Sequence, residues 1–181
     1  MEERTGVQKL AAVLKVLVTA TFICNLIVLP LVPGVVGMSM LVGPITVTPV
    51  EFLLGCWQYL WRVWRMEYTA VLALFLLFCG CCTAVILWQG RRVLDTVLTG
   101  ETFTFGNAAN LRRAAVCCLL ISAAALVRMV WGFAYYRSIL PLFTYNALFI
   151  PIFLMGGLLC LVMSALFRQA AELKAENDLT I

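Results

Sequence analysis

The sequence predicts an all-α integral membrane protein, a four-helix bundle with an outer interfacial amphipathic helix and a short cytoplasmic helical loop. Three observations predict it. The composition is 64% hydrophobic and 12% charged with a mean hydropathy of +1.01, outside the range of a soluble globular domain. Four apolar windows are each long enough, at about 1.5 Å per helical residue, to cross a hydrocarbon core about 30 Å thick. The thirteen Lys and Arg are shared unevenly among the connections between those windows.

The first window, 10–31, follows Glu2 and Glu3, exceeds an ordinary signal-peptide core in length and lacks a clear small-x-small cleavage site. It therefore reads as an uncleaved signal anchor. The connection after it opens with Gly and Pro punctuation and passes through a Thr- and Val-rich stretch, 45–50, of extended character. From Glu51 to Met66 the period changes to helical: Glu51, Gly55, Gln58, Arg62 and Arg65 make a narrow polar stripe, and Trp57, Trp61 and Trp64 lie away from it. That pattern suits a helix lying in the headgroup zone, where indole rings bury their bodies and wet their N–H groups.

The second window, 68–88, is free of charge. Beyond it Val93, Leu94, Val97 and Leu98 recur at helical spacing, Gly100 is placed as a C-cap, and Thr104 or Asn107 is available to cap the helix that follows. The third window, 114–135, contains Arg128. The fourth, 147–167, is uncharged but holds Pro151, Gly156 and Gly157, the marks of a kink or of a helix broken at a transport site. Helical patterning continues past it, with Arg168 and Glu172 four apart and able to pair.

Positive loops are retained in the cytoplasm. An inside amino terminus puts Arg4, Lys9, Lys15, Arg91, Arg92, Arg112, Arg113, Arg168 and Lys174 at that face, against Arg62, Arg65 and Arg137 outside. The expected location is the inner membrane with both termini cytoplasmic. The net charge of +4 is then topological bias, and no direct nucleic-acid partner is expected.

Seven of the eight cysteines lie inside the windows and Cys56 has no obvious partner, which excludes a secreted disulfide framework. Histidine is absent, and the CGCC run at 79–82 has no neighbouring cation to favour thiolate. The cysteines read as small hydrophobes, and neither metal nor cofactor is expected. Without a His base, an embedded carboxylate pair, a phosphate-binding loop or a nucleophile motif, no catalytic residue is assigned and no enzyme is expected.

The polar residue most in need of explanation is Arg128, in the outer half of its span, because an intramembrane charge is costly unless paired, hydrated or snorkelling. Ala124, Ala125 and Gly132 share its side of the helix, so close packing against a neighbour is expected. Glu67 is the carboxylate that depth nominates as its partner, and Asn25 lies at a comparable depth. Two readings stand: a structural ion pair or snorkelling arginine, and a functional charge.

The cytoplasmic GETFTFGNAANLRR, its flanking spans and the terminal ALFRQAAELKAENDLTI resemble a bacterial membrane family catalogued as a domain of unknown function, number two-nine-seven-five. The resemblance rests on Phe103, Thr104, Asn107 and Leu111 before the third span, and on Glu176, Asn177, Asp178, Leu179, Thr180 and Ile181 at the terminus. It implies a four-span protein, often encoded beside a small helix-turn-helix regulator of the Cro type, and supplies no substrate or catalytic residue. Arg91, Arg92, Arg112 and Arg113 are candidates to receive the acidic tail, as a clasp closing the bundle or as part of a docking surface. Two functions follow as expectations. One is a noncatalytic sensor that engages a cytoplasmic transcriptional regulator; the other is a small oligomeric transporter or channel for an anionic solute. In either case the bilayer is the first partner, and a homo-oligomer fits the second.

Overall fold

The computed structural model describes residues 6–33, 67–137 and 145–178, and they are helical apart from one short connection. Helix α1 runs Gly6–Val28 and passes into a 3₁₀ turn at Leu29–Leu31, where Pro30 removes a backbone donor. Helices α2 (Glu67–Thr99), α3 (Phe105–Tyr136) and α4 (Tyr145–Asp178) follow. All four are long and apolar enough to cross a membrane. The chain is a multi-pass membrane protein with a helical-bundle fold. The interfacial helix expected at Glu51–Met66 and the extended stretch at 45–50 lie outside the described residues.

Neighbours in sequence are neighbours in space: α1 packs on α2, α2 on α3, and α3 most extensively on α4. Phe75, Cys79, Cys82, Ile121 and Ala125 form the core, with Phe149, Ile150 and Phe153 of α4 against it. The core is therefore a three-helix one, with α1 outboard on α2. Ala11 is the only buried residue among the described side chains of α1, whose exposed leucines, valines and isoleucines face outward from the bundle.

Close approach is set by small residues and hydroxyls. Ser164 Oγ donates to the Ala108 carbonyl at 2.7 Å and Ser122 Oγ to that of Ile150 at 3.0 Å, which fixes the register of α3 against α4. Between them a Cβ on Gly157 would stand 3.0 Å from Leu119 Cγ and 3.3 Å from the Ala115 carbonyl oxygen, tighter than ordinary van der Waals contact, so the glycine lets the two helices approach closely. On the other side Asn25 Nδ2 donates to the Gly80 carbonyl at 3.0 Å, and Phe22 packs on Trp88 with ring centroids 5.8 Å apart.

Two expectations change. The loop helix expected after the second span is the uninterrupted end of α2, because no proline precedes Gly100 and a lone glycine, Gly90, does not stop the helix. Its connection to α3 shrinks to Gly100–Thr104. The fourth helix is continuous through Pro151, Gly156 and Gly157. Pro151 lies close enough to the start of α4 to delete only an early backbone bond, and packing against α3 holds the glycines helical.

Candidate functional site

The two most polar features of the bundle lie at opposite ends. At the loop end Gly100 adopts φ +84° and ends α2, a left-handed conformation that glycine reaches without strain. Thr104 is the N-cap of α3, its hydroxyl accepting from the Asn107 backbone N–H at 3.2 Å. Of the two cap candidates, Thr104 therefore holds the role and Asn107 is freed for another.

Asn107 is 1% exposed. Its Nδ2 donates to Thr96 Oγ1 at 2.6 Å and to the Thr102 carbonyl at 2.7 Å, so one amide ties the last turn of α2, the connection and the first turn of α3 together. Phe103 lies against Phe167 of α4 with centroids 5.4 Å apart, while its own surface and that of Phe105 remain half exposed. Leu111 is half-buried on α3. Thus Phe103, Thr104, Asn107 and Leu111 are brought together as a rigid corner that presents aromatic edges.

Arg91, Arg92, Arg112 and Arg113 lie on the membrane side of this corner, and among the described residues none has an ion-pair partner. Arg92 sits over the Trp88 ring at 5.8 Å. Among the described residues the expected clasp has one acidic member, Glu176, and it lies far from Arg112. Helix α4 continues to Asp178, and the Ser164–Ala108 contact sets the levels, with Glu176 twelve residues outward and Arg112 four inward. That is about 24 Å of helix rise, beyond the reach of the two side chains. The tail instead projects past the corner, with Arg168 Nε bonded to Glu172 Oε1 at 2.9 Å as the spacing anticipated, and Leu173 67% exposed. Asn177 is exposed and Asp178 ends the helix; Leu179, Thr180, Ile181 and the Asp178 side chain lie outside the described residues.

At the opposite end the Arg128 guanidinium lies over the Phe75 ring, 4.8 Å from its centroid. Phe149 of α4 meets the same ring edge-on at 6.1 Å. Glu67 opens α2, and its side chain lies outside the described residues. Asn25 is occupied at Gly80, five residues along α2 from Phe75. Of the three intramembrane candidates, Arg128 thus lies on an aromatic face and Asn25 clamps α1 to α2.

Cys82 of α2 lies near Cys117 of α3, and Cys118 neighbours Cys160 of α4. Among the described residues no three Cys, Asp or Glu converge as a metal site. Several residues went unnoticed in the sequence. Lys15 Nζ pairs with Asp95 Oδ1 at 2.6 Å, joining α1 to α2. Gln89 is buried with its Oε1 lacking a hydrogen-bond partner among the described residues. Ser164 carried a signal, a lone hydroxyl in an apolar run.

Among curated proteins and among solved structures, none gives a significant match to the chain. A family model described as "protein of unknown function (DUF2975)" matches residues 10–181, which take in all four helices, the Asn107 corner and the tail. The chain belongs to this family of proteins of unknown function, DUF2975.

Proposed function

We propose that the chain is a noncatalytic membrane protein that reports a membrane or envelope condition to a soluble regulator docked at its loop end, with that end and both termini cytoplasmic in an inner membrane. The observation that carries this reading is the continuation of α4, as an exposed helix, beyond the Asn107 corner to Asp178. A helix that only needed to span the bilayer would have no use for that length. Past the corner with its exposed Phe103 and Phe105 it carries Glu172, Leu173, Lys174 and Glu176, all exposed, so that acidic groups flank an apolar one with a single lysine among them. A small helix-turn-helix regulator carries a basic DNA-binding face. Docking that face on the acidic tail would withhold the regulator from DNA, and a shift of α4 against α3 would release it.

The test is an affinity pull-down from native membranes, comparing the full chain with one lacking Glu176–Ile181, read by mass spectrometry. A helix-turn-helix protein captured by the full chain alone supports the reading. Equal capture by both versions, or no such protein in either, refutes it.

A second reading, a small oligomeric transporter or channel for an anion, is favoured by one observation: the Arg128 charge held inside the bundle over Phe75. Its test is anion flux into proteoliposomes. Flux lost in Arg128→Ala supports it, and flux equal in both, or absent from both, refutes it.

A further inference from the structure

The exposed apolar surface of the central helices is organised into stripes that end on arginines. On α2, Leu74, Phe78, Cys81, Val85 and Trp88 are exposed at alternating spacings of four and three, and the next position in the series is Arg92. On α3, Val130, Val127, Ala123, Leu120 and Val116 repeat the pattern in the antiparallel direction, and the next position is Arg113. The Thr96–Asn107 bond sets the two helices in register, so that Arg92 and Arg113 lie within two residues of one level. Helical periodicity puts both stripes on the outward side of the α2–α3 seam, away from the α4 contact.

The flanking helices are staggered against this pair. Through the Ser164–Ala108 contact, the first charge on α4 past its span, Arg168, lies eight residues, about 12 Å of rise, outward of the Arg112 level. On α1, Lys15 is level with Asp95, three residues outward of Arg92, and exposed Leu14, Val13 and Leu10 extend further still. A bilayer boundary drawn at Arg168 and Leu10 therefore leaves Arg92 and Arg113 recessed, behind walls that are apolar apart from the internally neutralised Lys15–Asp95 pair. They have no ion-pair partner among the described residues.

We infer that Arg92 and Arg113 form a recessed binding site for an anionic phospholipid, whose phosphate meets the two guanidinium groups while an acyl chain lies along the stripes headed by Trp88 and Val116. Arginine offers planar paired donors that match phosphate oxygens, and the low-dielectric walls strengthen the attraction over that at an open membrane surface. The apolar stripes continuous with the arginines are what select a lipid over a free phosphate, since the latter would leave them without a matching group.

The experiment uses the full chain reconstituted in phosphatidylcholine vesicles with spin-labelled phosphatidylglycerol or phosphatidylcholine, and reads the fraction of label immobilised by protein. The expected result is a preference for phosphatidylglycerol that falls by about five-fold for each arginine neutralised, in Arg92→Gln and Arg113→Gln. Arg92→Lys and Arg113→Lys should retain most of it, and Lys174→Gln, on the distant tail, all of it. Circular dichroism of each variant checks that the helices are retained. No preference in the natural chain, an unchanged preference in the double glutamine variant, or an equal loss in Lys174→Gln would overturn the site. Abolition of the preference by millimolar glycerol phosphate would show a free-phosphate site and overturn the assignment to lipid.

Discussion

Replacing Asn107 by alanine should destabilise the loop end more than any other single truncation there. The side chain is 1% exposed and its Nδ2 makes two hydrogen bonds. The Thr96 hydroxyl keeps a use for its proton, because it donates to the Val93 carbonyl at 2.7 Å. The Thr102 carbonyl has no such alternative bond described, so the variant strands a peptide oxygen at the corner. Two net bonds at about 1 kcal/mol each give a loss of about 2 kcal/mol, or about thirty-fold in the folding equilibrium. Thr104→Ala removes only the cap and should cost about 1 kcal/mol. Asn107→Asp keeps shape and volume but cannot donate, so it should be at least as damaging as alanine if the bonds rather than the packing matter. The assay is reversible unfolding in mixed micelles followed by circular dichroism. Natural stability in Asn107→Asp, or a smaller loss in Asn107→Ala than in Thr104→Ala, would refute the reasoning.

Gly157→Val should loosen α3 from α4 at a cost of about 1 to 3 kcal/mol, since the new carbon meets Leu119 and the Ala115 backbone oxygen, whereas Gly156→Ala faces open space and should be neutral in the same unfolding assay. Asn25→Leu should weaken the α1–α2 contact by about 0.6 kcal/mol. Lys15→Gln should weaken it further, because it strips Asp95 of its counter-charge. The two sites are ten residues apart on α1, so the effects should add and appear as a lower yield of engineered α1–α2 disulfide cross-links in membranes; an unchanged yield in the double variant would contradict the outboard placement of α1.

The parts of the fold that were legible in advance are those that local chemistry decides. Apolar length specified the four spans, Gly100 and Thr104 announced the ends of α2 and α3, and the spacing of Arg168 and Glu172 announced their pair. What was not legible depends on which helix faces which. Hydropathy scores a side chain alike whether lipid or protein covers it, so α1 could not be seen as outboard. Asn107 was recognised as a cap candidate, but its cross-loop role exists only once the last turn of α2 stands beside Thr102. Lys15 was counted as a topological charge, and its partner Asp95 lies eighty residues away in sequence. The distance between Glu176 and Arg112 was not legible either, because it depends on how far α4 continues past the start of its antiparallel neighbour α3.

The proposed docking of a soluble regulator would use the Asn107 corner and the projecting end of α4. The most direct measurement places a photo-reactive phenylalanine analogue at Leu173 in living cells, with the same analogue at the lipid-facing Leu154 as control, and identifies the cross-linked proteins. The account predicts a soluble helix-turn-helix protein joined to position 173, absent from position 154, and lost when Glu172 and Glu176 are changed to lysine. Cross-linking at 173 only to lipid or to other copies of the chain would contradict it.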